Sequence, residues 1–116
     1  MSAHPTDRDL ADALARRIFA TLSTKWALTA LEALADGPRR FAELHRALDG
    51  ISHKMLTQTL RALESDGLVA RHDHATANPR VDYALTPAGS ELLATVYGLC
   101  AWSRTHLDTL LGIGER

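Results

Sequence analysis

The sequence predicts a mainly α-helical chain that carries one small β-hairpin between its fourth and last helices. Three observations predict it. Apolar residues recur at helical spacing over most of the chain. The spacing switches to alternation over two short runs between residues 68 and 86. Aromatics make up only 5% of the residues, so the core must be built from Leu, Ala, Val and Ile, which favours helices. The 116 residues, 46% apolar and 23% charged, suit a single domain with a modest core of its own.

Residues up to about Pro5 read as a frayed end. Thr6 is a good N-cap for a first helix over about 7–22, with Asp7 and Asp9 in the first turn, where the helix dipole favours negative charge. Leu10, Leu14, Ile18 and Leu22 then recur every four residues. A second helix, about 25–35, carries Trp26, Leu28, Leu31 and Leu34; Gly37 suits a left-handed terminus and Pro38 cannot continue the helix. "RRF" (39–41) is a short extended link. "AELHRAL" (42–48) forms a third helix with Leu44, Ala47 and Leu48 inward, closed by "DG" at 49–50. Ser52 caps a fourth helix over about 53–65, Ile51 packs on its first turn, and Gly67 lies just past its end. Met55, Leu56, Leu60 and Leu63 form the stripe that fixes this helix to its scaffold.

"LVARHD" (68–73) and "RVDYALT" (80–86) are β-prone, and in the second Val81, Tyr83 and Leu85 alternate with polar or small residues. Joined by "HATANP", they read as an antiparallel hairpin with a projecting loop. Thr86-Pro87 starts the last helix, which runs to about 111 with a wide apolar stripe that includes Leu93, Val96, Leu99, Leu107 and Leu111. A helix this apolar at the end of a small chain needs a partner, and a closed two-fold dimer is the commonest solution. A short helix, a tight link, a helix with a polar outer face and then a hairpin make a winged helix-turn-helix. The expected organisation is one domain over 1–116, with a core at about 23–86 and dimerisation helices at about 7–22 and 87–111.

The fourth helix carries the chemistry. Lys54, Thr57, Gln58 and Arg61 fall at i, i+3, i+4 and i+7, on one face. His53 and Lys54 sit at the amino end, where phosphate is also attracted by the helix dipole. Gln can pair with adenine through two bonds, Arg with guanine likewise, and Thr offers a hydroxyl or a methyl. Taken alone, the face suits an ordinary solvated surface equally well; the hairpin directly after it favours double-stranded DNA. Arg71, His72, His74, Asn78 and Arg80 cluster near the hairpin tip, where they can reach phosphates or a minor groove. Arg39 and Arg40 are further phosphate candidates, with weak surface ion pairs as the alternative. The formal net charge of −1 carries no such signal, but residues 37–80 hold seven Arg and Lys against five Asp and Glu, and residues 81–116 hold two against four.

The ordered set "KWALTALEALADGPRRFAELHRAL", "GISHKMLTQTLRALESDGLVAR" and "VDYALTPAG", with Trp102 after it, resembles the HxlR-type, MarR-like winged helix-turn-helix regulators of bacteria over about residues 23–102. The resemblance implies a homodimer whose first and last helices form the interface. It also implies recognition helices in neighbouring major grooves of a roughly palindromic operator. By position, His53, Lys54, Thr57, Gln58 and Arg61 would read the DNA, with Arg40, Arg71 and Arg80 on its backbone. Many members of that family carry a Cys-Pro pair near the start of the first helix, and some sense electrophiles or oxidants through it. The corresponding positions are Ala13-Leu14, so the resemblance does not extend to that sensor.

Cys100 is the only cysteine, which leaves no intramolecular disulfide and suits a cytoplasmic protein. It falls on the apolar side of the last helix, where inert packing is the ordinary role and a redox or inter-subunit role the alternative. His72-Asp73-His74 lacks a third ligand, so no metal is expected. No nucleophile motif, P-loop or dinucleotide fingerprint is present, so neither an enzyme nor a cofactor is expected. Trp26, Tyr97 and Trp102 are candidates to line a small-molecule effector pocket, against a plain core role for each. No apolar run reaches membrane-spanning length, and the acidic amino end does not resemble a signal peptide. The expected function is sequence-specific DNA binding in transcription regulation, open to control by a small molecule or a redox signal. The alternative is a winged-helix adaptor that binds protein and has lost DNA affinity, as the near-neutral charge would allow.

Overall fold

A computed structural model describes residues 6–75 and 80–113. Along the described residues run α1 (Asp7–Leu22), α2 (Ala27–Ala33), β1 (Arg39–Arg40), α3 (Phe41–Ala47), α4 (His53–Ser65), β2 (Val69–His74), β3 (Arg80–Leu85), α5 (Pro87–Thr105) and α6 (Leu107–Leu110). The helix-turn-helix is α3 and α4, and the wing is β2 and β3. Of the loop residues read from the sequence, 76–79, including Asn78, lie outside the described residues.

Side-chain caps set the helix starts. The Thr6 hydroxyl accepts from the Asp9 amide at 3.1 Å, and the Asp9 carboxylate accepts from the Thr6 amide at 3.3 Å, a reciprocal capping box. The Ser52 hydroxyl accepts from the Met55 amide at 3.0 Å. Two helices differ from the expected extents. α2 begins only at Ala27, because residues 24–26 form a turn that follows α1. The last helix is not continuous to 111 but breaks at His106 (φ −107°, ψ 24°). Just before the break, the Ser103 and Thr105 hydroxyls donate back to the carbonyls of Leu99 and Ala101, at 3.0 and 3.2 Å. Such back-bonding competes with the helix ladder and bends it.

The sheet has a strand more than the expected hairpin. β2 and β3 pair antiparallel from Val69 opposite Leu85 to His74 opposite Arg80. The free edge of β3 takes up β1, with Arg39 opposite Tyr83 and Arg40 opposite Asp82, so the order is β1-β3-β2. Two residues show no periodicity, which is why "RRF" reads as a link until the neighbouring edge is known.

The core lies where α2, α3 and α4 meet: Leu31 and Leu34, Leu44 and Leu48, and Leu56, Leu60 and Leu63 are all buried. The buried row of α4 is Leu56, Thr59, Leu60 and Leu63, at i, i+3, i+4 and i+7. Met55 therefore falls about 100° round the helix from that row. It is 41% exposed and does not join the scaffold stripe. Ala47, also expected inward, is exposed, while Leu44 and Leu48 carry the α3 contact.

α5 is joined to the end of α4 through Thr86. Its amide donates to Leu68 O at 3.0 Å, its hydroxyl donates to Gly67 O at 2.7 Å, and the same hydroxyl accepts from the Gly89 amide at 3.0 Å. Gly67 is held at φ +77°, the left-handed region that lets the chain leave α4 sharply. Gly89 is buried against the Leu68 carbonyl, and a Cβ built there would run into that oxygen.

α1, α5 and α6 present a different surface. No residue of α1 is buried, and Leu10, Leu14, Phe19, Leu99, Leu107 and Leu110 are exposed. The radius of gyration is 17.7 Å, against about 13 Å for a compact domain of this length. The accessible surface is 8443 Å², against roughly 6,200 Å² for a monomer of this mass. Among the described residues no helix is long and apolar enough to cross a membrane.

Replacing Gly89 with Ala should destabilise the fold by about 2–3 kcal/mol, since the neighbour that must yield is backbone rather than a flexible side chain. Urea denaturation should show a lower midpoint with an unchanged slope. A midpoint equal to wild type would mean that the α5 junction is looser than described.

Candidate nucleic-acid interface

The outer face of α4 is the best-defined candidate surface. With its opposite side buried, the helix presents Lys54, Gln58 and Arg61 to solvent. None of the three has an ion-pair or hydrogen-bond partner among the described residues. Thr57 is half-buried, and its hydroxyl donates to the His53 carbonyl at 3.0 Å. Its donor is therefore occupied, and its methyl and remaining lone pair are what it can offer outward. His53 lies against Phe41 of α3, ring centroids 4.5 Å apart, with the His45 ring 6.2 Å away. That contact packs the first residue of α4 on the preceding helix as well as leaving it at the amino end.

Arg40 leads into α3. Its amide donates to Glu43 Oε1 at 2.9 Å, while its exposed guanidinium has no acidic partner among the described residues; nor does that of Arg39. The wing arginines differ. Arg71 Nη1 pairs with Asp73 Oδ2 at 2.8 Å, and Arg80 Nε lies 4.0 Å from Asp82 Oδ2. Tyr83, its cross-strand neighbour, and then Asp73 raise the pKa of Arg71 further above its ordinary value, so it stays charged. His74 Nε2 is 2.8 Å from the same Asp82 carboxylate. The Arg71–Asp73 pair is exposed, and such pairs are weak and screened by salt, whereas the Asp82 side chain is only 16% exposed. Among the described residues no group of three or more His, Cys, Asp or Glu could hold a metal.

The fold brings Arg61 and Arg71 to one place. A cleft of about 370 Å³ between α4 and the wing is lined by Thr57, Arg61, Glu64, Arg71 and Tyr83. The remaining sequence candidates are dispersed. Trp26 lines a separate cavity beside Met55 and Gln58, which neither Tyr97 nor Trp102 lines. The Tyr97 hydroxyl donates to Glu32 Oε2 at 3.2 Å; partial desolvation and then Glu32 raise its pKa, so it is a neutral donor at physiological pH. The Trp102 ring is tilted against His106 at 5.2 Å. Cys100 is exposed in the single chain, because α5 turns that side away from the core.

One long-range contact has no signal in the sequence. Asp66, at the carboxyl end of α4, is 5% exposed in its side chain. Arg17 Nε of α1 reaches its Oδ1 at 2.9 Å, and the Thr21 hydroxyl donates to its Oδ2 at 2.7 Å. A carboxylate at a helix carboxyl end is opposed by the dipole, and these two donors from α1 offset that cost. The pair spans 45 residues between Thr21 and Asp66, beyond any local pattern.

The family model described as HxlR-like helix-turn-helix matches residues 21–110. The chain belongs to that family. It is 35% identical over 100 residues to the uncharacterised HTH-type transcriptional regulator YtfH of Escherichia coli strain K12, covering 86% of this chain and 79% of that one. It is 39% identical over 88 residues to the uncharacterised HTH-type transcriptional regulator YtcD of Bacillus subtilis strain 168, covering 76% and 70%. Among solved structures, a MarR-family regulator from Enterococcus faecalis V583 superposes with a TM-score of 0.75 at 39% identity over 96% of this chain and 98% of that one. The reduced form of the transcriptional regulator YodB from B. subtilis gives 0.72 at 28% identity over 95% and 98%. The HxlR-like fold is thus shared along nearly the whole described chain.

Replacing Asp66 with Ala should cost about 1–2 kcal/mol, the low side for charge-assisted hydrogen bonds because Arg17 is half exposed. A double-mutant cycle with Arg17→Ala should show coupling between the two sites by chemical denaturation. Strict additivity would remove the α1–α4 link.

Proposed function

We propose that this HxlR-like protein is a sequence-specific DNA-binding transcriptional regulator that acts in the cytoplasm as a homodimer on a roughly palindromic operator. The carrying observation is the outer face of α4, where Lys54, Gln58 and Arg61 stand without partners among the described residues beside a wing. In this reading Gln58 and Arg61 read base edges together with the Thr57 methyl. His53, Lys54 and Arg40 meet phosphates, and Arg71 and Arg80 exchange their carboxylates for the DNA backbone. The whole chain acts as one winged-helix unit with terminal dimerisation helices. The exposed leucines of α1, α5 and α6, together with the excess surface and radius, support the dimer. Similar solved structures include the redox regulator HypR; an exposed Cys100 on α5 gives a redox or inter-subunit role a place, tested by Cys100→Ser. The adaptor reading draws on the carboxylates that face the wing arginines.

A gel shift on the protein's own upstream region, at several salt concentrations, separates these readings, since each phosphate neutralised contributes about −0.9 to the log–log salt slope. Arg40→Ala should weaken binding to all sequences and make the slope shallower by about 1. Gln58→Ala should cost about 1–3 kcal/mol on the best site only, relaxing one base position. Absence of enrichment of any genomic fragment in pull-down sequencing would favour the adaptor.

Sedimentation equilibrium should return a dimer, and Leu99→Glu should shift it to monomer with the fold intact by circular dichroism. A monomeric wild type at micromolar concentration would overturn the assembly.

A further inference from the structure

We propose that Asp66, held by Arg17 and Thr21, is a positioning residue that fixes the half-site spacing the protein accepts on DNA. The inference rests on the homodimeric DNA-binding reading and adds to it a determinant of specificity that touches no base.

α1 is held to the rest of the chain near one end. Ile18, Thr21 and Leu22 are its only partly buried residues, and Ile18 and Leu22 pack against the core. Every residue from Asp7 to Arg17 is exposed, Leu10 and Leu14 among them. The helix is a rod of about 24 Å anchored by its last turns. Apolar contact is non-directional, so Ile18 and Leu22 hold the rod down without fixing its roll or tilt. Asp66 supplies what they lack. Its two carboxylate oxygens take one donor each from residues a turn apart on α1, Arg17 Nε at 2.9 Å and the Thr21 hydroxyl at 2.7 Å. Two directional bonds to one carboxylate select one roll and one tilt. Asp66 is also the C-cap residue of α4, with its side chain 5% exposed, so the angle it sets is referred to the candidate DNA helix itself.

The lever is long enough for one carboxylate to matter. From Thr21 back to Leu10 the rod runs about 16 Å, so a tilt of roughly 10° at the clasp carries Leu10 about 3 Å. One base pair along B-DNA is about 3.4 Å and turns the next site by roughly 35°. With α1 in the dimer interface, a loss of that much angular definition spreads the two α4 helices over neighbouring spacings. The clasp separates a dimer that accepts one spacing from a dimer that accepts several.

The test has one arm with DNA and one without, both on the full chain. In gel shifts the two halves of the best operator are moved together or apart by one base pair. Wild type should lose at least about tenfold in affinity on either change, and Asp66→Ala and Arg17→Met less than about threefold. Binding to a lone half-site at low salt should be the same in all three. Arg17→Met keeps the side-chain stem at an exposed position, so it stands in where Asp66→Ala folds poorly. Ile51→Val, a core change at the other end of α4, should weaken binding equally at every spacing, as a purely structural role for Asp66 would. Without DNA, Cys100→Ser with Lys54→Cys gives one thiol per chain, since Cys100 is the only cysteine. A spin label there reports the separation of the two α4 helices by double electron–electron resonance. The distance distribution should be at least about twice as broad in Asp66→Ala and Arg17→Met as with the clasp intact. An unchanged distribution in both variants would overturn the clasp. A broadened distribution with the tenfold spacing loss retained would overturn the specificity role alone. Absence of any inter-label distance in the wild-type clasp would overturn the inference together with the dimer. If no DNA is bound, the proposed function fails and the specificity role with it, while the distance measurement still decides whether Asp66 positions α4.

Discussion

The burial of Leu56, Leu60 and Leu63 against the leucines of α2 and α3 is the constraint on which the rest of the molecule depends. A helix surface cannot be both packed and chemically available, so committing one side of α4 to the core leaves the other for Lys54, Gln58 and Arg61. With few aromatics, the fold relies on many close leucine contacts rather than a few large side chains. Such interiors are densely packed and tolerate little shift. A rigid helix is what base reading requires, since a hydrogen bond across a groove weakens steeply when its geometry is lost.

The carboxyl end of α4 carries a second commitment. Asp66, Gly67 and Leu68 are consecutive, and they receive both terminal helices: α1 through Arg17 and Thr21, α5 through Thr86 and Gly89. The two helices that expose the most apolar surface are therefore tied to the end of the helix that carries the candidate DNA face. If those surfaces meet in a dimer, the pairing geometry sets the separation of the two α4 helices through three residues. This gives the otherwise unfavourable carboxylate of Asp66 a reason to be where it is.

Charge is divided in an unequal way. Among the described residues the cations of α4 and of the link before α3 have no acidic partner, while those of the wing lie beside carboxylates on the same sheet. A near-neutral chain can still present a positive face when its acidic groups are concentrated elsewhere. The wing carboxylates Asp73 and Asp82 lie beside Arg71 and Arg80 on the same sheet.

The sequence by itself determined the helices, their caps, the hairpin and the composition of the α4 face. These are local matters: Thr6, Ser52 and Thr86 cap turns a few residues away, and periodicities of 3.6 and 2 are properties of adjacent residues. Short elements escaped it, as with β1, where two residues carry no period, and so did the break at His106. Met55 also escaped it, because a stripe of neighbouring apolar residues does not say which edge of the stripe the core will cover. Only the tertiary structure decided what distant residues do to one another. It placed Asp66 under α1, paired the wing arginines with acids, brought Arg61 beside Arg71, and gathered Lys25, Met55 and Thr59 around one cavity while leaving Tyr97 and Trp102 outside it. Contacts between residues far apart in the chain depend on how helices cross and turn, and one sequence read alone contains no record of that geometry.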